Sequence, residues 1–255
     1  MNIALLTQDD PFYMPEVIKD FINNIGNTGR HCICVGIVSD PSPFGKKEGF
    51  KEKIKKTLRI FGASFFLRYS YEWIIRKYVL AKSVEREISE AGINTILLKD
   101  SINQKKNIEK IKYYKPDIIV IIAGNQIIKK DLLVSTKYGV INAHTSLLPD
   151  YKGLMPTFWV LKNNEKETGV TVFRLTEGID DGPIIKQEKL QIEKNMTQRE
   201  LIIKTKKIAN RILIESLNEI EDGVAEMKEN CGGIYYKFPT REDVKEFYRN
   251  GKRFY

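Results

Sequence analysis

The 255-residue chain holds only two histidines and three cysteines. His31 and His144 leave little from which to build a zinc site, and Cys32, Cys34 and Cys231 include no CxxC pair. An odd count, with two thiols at i and i+2 on a β-branched run, predicts free and buried cysteines rather than disulfides. No apolar run approaches the ~18 residues of a membrane span, and MNIALLTQDD passes from an apolar strand straight into acidic residues, unlike a signal peptide. The chain therefore reads as cytoplasmic. The first loop, TQDDPFYMP, has no glycine, and neither GxGxxG nor GxxxxGK[ST] stands where it could serve, which disfavours a dinucleotide or P-loop enzyme. Internal repeats and low-complexity linkers are absent too.

What is present is ordinary for a globular protein, 42% hydrophobic and 29% charged, except in how its charge is placed. The net charge is +9, and between Lys46 and Arg86 twelve Lys or Arg face four Glu. Residues 41–81 read as an insertion. Phe50, Ile54, Leu58, Phe61 and Phe65 recur at helical spacing among lysines, which predicts one basic amphipathic helix, and Tyr69 to Leu80 adds Trp73 and three tyrosines. The plain reading is a helix packed on the core with solvated lysines. The sharper ones are a site for an acidic substrate such as a nucleotide diphosphate, or an anionic membrane surface met through residues 46–80. Charge without a motif gives no case for dedicated nucleic-acid binding.

The remaining pattern is that of an α/β protein, a Rossmann-like open and mostly parallel sheet with helices on both faces. Asn2 to Leu6, Arg30 to Ser39, INTILLKD and Asp117 to Ala123 read as strands, and DIIVIIA, apolar throughout, should be central and covered on both faces. Helices are expected to about Ile25, over Ser83 to Ala91, up to Tyr114 with Asn103 as N-cap, and over Thr157 to Asn163. Gly169 to Leu175 and Pro183 to Ile192 read as two more strands. Thr197 and Glu200 have capping-box spacing at the head of a long helix that buries Leu201, Ile208, Ile212 and Leu217 and stops at Gly223. The division expected is a catalytic domain over 1–222 and a short extension over 223–255, a small hairpin-and-helix appendage.

Chemistry concentrates in two turns, VINAHTSLLPDYKG from Val140 and GIDDGPII from Gly178. Asn142 and His144 are two apart at a strand end and so share a face, and Asp180 in the second turn could reach the imidazole. An imidazole passes protons near neutral pH, a carboxylate beside it fixes its tautomer, and an amide donates to an oxyanion. That set suits acyl transfer in which the acceptor amine is itself the nucleophile. A Ser-His-Asp hydrolase through Ser146 competes, without a G-x-S-x-G elbow to support it. On the residues alone, a histidine closing a strand is more often a satisfied structural group.

The run NAHTSLLPDYKG, then TGVT, then IDDGPII, resembles the 10-formyltetrahydrofolate-dependent formyltransferase family, in order and from about Ile93 to Leu217. That family includes glycinamide ribonucleotide transformylase, methionyl-tRNA formyltransferase and the sugar-nucleotide N-formyltransferases. The resemblance implies 10-formyltetrahydrofolate as formyl donor and Asn142, His144 and Asp180 as the catalytic residues, with Asp181 in a variable slot. It implies folate contacts from Ser146, Leu147, Leu148 and Pro149, and from Gln126, Ile127, Ile128 and Lys129. The loop carrying Thr176, Glu177 and Gly178 is expected to close over the pterin.

Departures from the family narrow the acceptor. Phe173 stands where the purine-pathway members resemble one another in having histidine, and the first loop lacks a glycine-rich phosphate cradle. Residues 223–255 are too few for the C-terminal barrel by which the methionyl-tRNA enzymes resemble one another, and no N-terminal regulatory domain is seen. The expected acceptor is then a small-molecule amine on a nucleotide sugar, its diphosphate near the basic insertion. A homodimer is compatible with the sequence. The rival of another class is a catalytically degenerate basic module binding membrane or nucleic acid.

Overall fold

The computed structural model describes residues 1–41 and 49–255. Lys46, Lys47 and Glu48 of the basic segment, and the Phe50 side chain of the expected stripe, lie outside what is described. The chain opens with β1 (Asn2–Gln8), α1 (Met14–Thr28) and β2 (Cys32–Ser39), followed by α2 (Phe50–Phe61) and α3 (Ala63–Ile74), a π-helical turn over Ile75–Val79, and α4 (Val84–Glu90). Next come β3 (Thr95–Leu98), α5 (Lys105–Tyr113), β4 (Ile118–Ile121), α6 (Lys130–Leu133), β5 (Val140–His144), β6 (Lys152–Gly153) and α7 (Pro156–Lys162). The hairpin β7 (Glu167–Arg174) and β8 (Ile184–Gln191) leads to α8 (Gln198–Glu221), β9 (Tyr235–Tyr236) and α9 (Arg241–Arg249).

Seven strands form one sheet in the order β3-β2-β1-β4-β5-β7-β8, parallel from β3 to β5 and antiparallel beyond. Strand side chains alternate, so β4 sends Ile118 and Val120 to one face and Ile119 and Ile121 to the other. The first face packs against α1, α4 and α8 through Phe21, Ile88 and Leu213, and the second against α5 and α6 through Ile111 and Leu132. The expected central strand is fully buried, as its unbroken apolar run requires. The capping box of Thr197 and Glu200 is present at the head of α8.

Four local expectations differ from the structure. The apolar stripe from Ile54 to Phe65 is divided between two helices, because Gly62 at φ 85° breaks the chain between α2 and α3. Asn103 does not cap α5, whose N-cap is Gln104; its side chain instead bridges to Ile127 O at 2.8 Å and Lys129 N at 2.8 Å. The thiols are free but not buried: Cys32 and Cys231 are exposed and Cys34 half-buried, since β2 begins beyond the helices that cover its later residues. The tail forms no hairpin, because Tyr235 and Tyr236 pair in parallel with Lys152 and Gly153.

Candidate functional site

Asn142 and His144 stand on the face of β5 opposite Ile141 and Ala143, and their cross-strand partners on β7 are Phe173 and Thr171. Thr171 ties down the loop that follows β5: its hydroxyl donates to Ser146 O at 2.7 Å and accepts from Leu148 N at 3.0 Å. Gln187 on β8 adds donors to Leu148 O at 2.7 Å and to the same hydroxyl at 2.9 Å. The Ser146 hydroxyl donates to Asp150 O at 2.9 Å, fully buried, so it is a loop brace and not a poised nucleophile. Leu148 packs with Phe173 and Ile184, the Leu148–Pro149 peptide is cis, and Leu147 crosses close over Gly169.

His144 is 7% exposed, and its Nε2 lies 2.8 Å from Tyr151 O. A carbonyl only accepts, so Nε2 carries a proton, and in a neutral ring the lone pair is then at Nδ1. That atom faces Asp180 Oδ2 at 3.7 Å. Asp180 adopts φ 51°, its Oδ2 accepts from Gly153 N at 2.8 Å, and Asn230 donates to Asp180 O at 3.0 Å and Gly182 O at 2.9 Å. Asp181 turns the other way and accepts from Thr176 Oγ1. The Asp181 carboxylate packs over Gly178, where a side chain would have to push it aside. Asn142 is half-buried, and among the described residues its amide makes no hydrogen bond, which leaves its donors available to a carbonyl oxygen.

The approach of Asp180 to His144 is not given by strand order. β7 runs antiparallel to β5, so Arg174 lies beside Ile141, about 10 Å along the sheet from His144. The connecting loop must climb back to bring Asp180 home. Asn230, Gln187 and Thr171, which hold it and its neighbour loop, carry no motif a sequence reading could use. Of the segment after β4, Gln126 accepts from Ile102 N at 2.9 Å, Ile128 is buried, and Ile127 is 65% exposed.

Two cavities open beside the carboxyl end of β1, the point where the strand order reverses and α/β sheets hold ligands. One, of about 200 Å³, is walled by Phe12, Tyr13, Phe65, Tyr69, Phe254 and Tyr255, with Gln8, Asp10 and Gln198 as its polar groups. The other, of about 320 Å³, shares Phe12 and Tyr13 and is lined by Arg76, Arg199, Lys206 and Lys207 together with Glu16 and Asp20, with Arg76 and Arg199 paired to Glu72. Burial raises the Asp10 carboxyl to about 6 and lowers the Lys206 amine to about 8. Neither cavity includes Asn142, His144 or Asp180. Leu6, Ile121 and Asn142 are register neighbours, however, so Leu6 of β1 is only two strand spacings, about 10 Å, from Asn142.

The family model described as formyl transferase matches residues 75–217, which span the π turn through most of α8. The methionyl-tRNA formyltransferase of Wolbachia pipientis subsp. Culex pipiens (strain wPip) is 33% identical over 186 residues, 71% of this chain and 62% of that protein. The chain spans about half the length of the curated relatives it matches. Among solved structures, glycinamide ribonucleotide transformylase 1 from Symbiobacterium toebii superposes with a TM-score of 0.64 at 17% identity, covering 91% of this chain and 94% of that one. The N-formyltransferase from Helicobacter canadensis, in complex with folinic acid and dTDP-3-aminofucose, gives 0.57 at 17%, covering 97% and 79%. At such identities these two establish a shared fold and no more. The match that reaches across β4, β5 and the β7–β8 turn, over more than half of the sequence, makes this chain a member of the formyl transferase family.

Proposed function

We propose that the chain moves a formyl group from 10-formyltetrahydrofolate to a primary amine carried by a nucleotide-linked aminosugar. One observation supports the reading: Nδ1 of His144 faces the Asp180 carboxylate at 3.7 Å, and Asn142 shares the β5 face of that imidazole. Apolar side chains beside them suit the flat ring of a reduced folate. Ile179, next to Asp180, is 46% exposed, Ile127 on the segment after β4 is 65% exposed, and Leu148, Phe173 and Ile184 form a buried floor. Ser146 to Pro149, Gln126 to Lys129 and Thr176 to Gly178 would hold that ring.

When bound, the folate supplies the formyl carbon. Asn142 donates its side-chain N–H to the formyl oxygen as negative charge grows there. In the neutral ring His144 would accept the amine's proton at Nδ1 as the amine bonds to the formyl carbon, Asp180 would steady the cation that results, and the same proton would pass to the folate nitrogen as its bond to the formyl carbon breaks. Tyr151 O and Gly153 N keep the ring and the carboxylate in place throughout. The aromatic-walled cavity, and the one beside it with Lys206 and Lys207 in its wall, would suit a nucleotide base and its phosphates at the carboxyl end of β1.

A second reading, formyl transfer to methionyl-tRNA, is favoured by the sequence relative of that name at 33% identity. Incubation with 10-formyltetrahydrofolate and an amine panel (nucleotide aminosugars, glycinamide ribonucleotide, charged initiator tRNA), scored by mass spectrometry, separates the two. Formylated nucleotide sugar is the expected product. Formyl-methionyl-tRNA alone would replace the acceptor, and no formylated product would leave only the degenerate binding module. His144→Ala and Asp180→Asn should each lower turnover by at least ~100-fold with circular dichroism unchanged.

A further inference from the structure

The helix α3 and the π turn after it have two unlike faces. Inward, Phe65 stacks on Phe61 and Tyr69 on Phe12, and Glu72 holds Arg76 and Arg199. With about 100° between successive residues of α3, Leu67, Tyr71 and Ile74 fall together on the opposite side, and Tyr78 follows them on the π turn. They are 67%, 69%, 49% and 67% exposed, and Val79 and Leu80 continue the patch at 67% and 54%. A surface helix ordinarily turns its apolar stripe to the core; this one also presents a second stripe to water.

The margins of the stripe are cationic. Arg68, about 100° round α3 from Leu67, and Lys77 on the π turn are both exposed, with Arg68 over the Tyr255 ring and Lys77 over Trp73. Across the described residues 49–86 ten Lys or Arg face three Glu, with Arg76, Lys82 and Arg86 paired to Glu72, Glu16 and Glu90. That charge selects the occupant. A second copy of the chain would set the same cationic margin against itself. Nucleic acid would answer the charge but leave Leu67, Ile74, Val79 and Leu80 in water. A layer of anionic lipid headgroups over acyl chains answers both, because apolar side chains enter the boundary while flanking cations meet the phosphates.

We propose that this outer face of residues 67–80 docks the protein on an anionic lipid surface, lying in its plane. No helix among the described residues is long and apolar enough to cross a membrane. The inference stands apart from the transfer chemistry and is tested without it. The full chain is floated with vesicles of phosphatidylcholine alone and of phosphatidylcholine mixed with phosphatidylglycerol. Binding to the mixed vesicles is expected to exceed binding to the neutral ones at least ~10-fold and to weaken as salt rises. The double variant Leu67→Glu/Ile74→Glu should lose at least ~10-fold of it, with an unfolding midpoint close to the parent's, since both positions are exposed. The control Tyr113→Glu/Val134→Glu, at sites 81% and 71% exposed elsewhere, should bind as the parent does.

Absence of binding to the mixed vesicles, equal binding to both kinds, or equal loss in the control pair would overturn the proposal. So would a dimer by light scattering that Leu67→Glu/Ile74→Glu dissolves, which would assign the stripe to a second copy. RNA binding lost in that variant without vesicle binding would overturn it in favour of nucleic acid.

Discussion

Asp180 holds a left-handed backbone, a conformation that costs an L-residue about 1 kcal/mol or more unless its surroundings fix it. Asn230 is what fixes it, clamping the carbonyls of Asp180 and Gly182 from a segment about 50 residues downstream. Asn230→Ala should therefore leave the fold intact but lower formyl transfer about 10-fold, by loosening the carboxylate that faces His144; steady-state kinetics with a folate donor would register it. Asp10 makes a prediction of another kind. Its folded value near 6 lies above the unfolded 3.8, so the folded state grips the proton more tightly and ionisation between about pH 4 and 6 costs stability. Asp10→Asn should be more stable than the parent at pH 7 and indistinguishable from it near pH 3.5, as read by urea unfolding at the two pH values. Neither residue was legible beforehand: Asn230 lies in a run without periodicity, and what matters in Asp10 is burial, which the local sequence does not record.

At the level of elements, the sequence pattern was a good guide where one principle acted alone. The apolar run of β4, the capping box of α8 and the glycine after it, at φ 72°, all form as their residues dictate. Reading failed where a tertiary partner outbid a local preference. Asn103 has the chemistry of a cap yet spends its amide on Ile127 and Lys129, joining the loop before α5 to the segment after β4. The helical spacing of Ile54 to Phe65 spans a break at Gly62, so a single stripe became two helices. Glycine 36 shows how closely elements meet: an added Cβ would lie 2.8 Å from Ile88 Cδ1 and Cγ2 of α4. Gly36→Ala should destabilise the protein by ~1–3 kcal/mol in urea unfolding, and a smaller partner, Ile88→Val, should recover part of that loss.

Across the whole molecule, the tail is part of the packing around α7. Phe247 and Phe254 join Phe158, with ring centroids 4.9 Å and 6.0 Å from it, and Ile60 of α2 is buried in the same cluster. Phe247→Ala should cost about 3–5 kcal/mol, seen as a lowered unfolding midpoint, because the ring is fully buried and its neighbours come from three distant parts of the chain. The same long-range packing lets Phe254, Tyr255 and α3 wall the cavity beside β1. By itself the sequence determined the α/β class, the order of most elements and the family motifs, because periodicity, caps and turn residues act over a few positions; Asn142, His144 and Asp180 were singled out by the family resemblance. Only the tertiary structure decided that Asp180 reaches His144, which imidazole nitrogen is free, what encloses the cavity and which face of α3 is left to solvent. Those depend on where an antiparallel strand delivers its loop and on contacts between residues tens to hundreds of positions apart, and no local pattern encodes a distance of that kind.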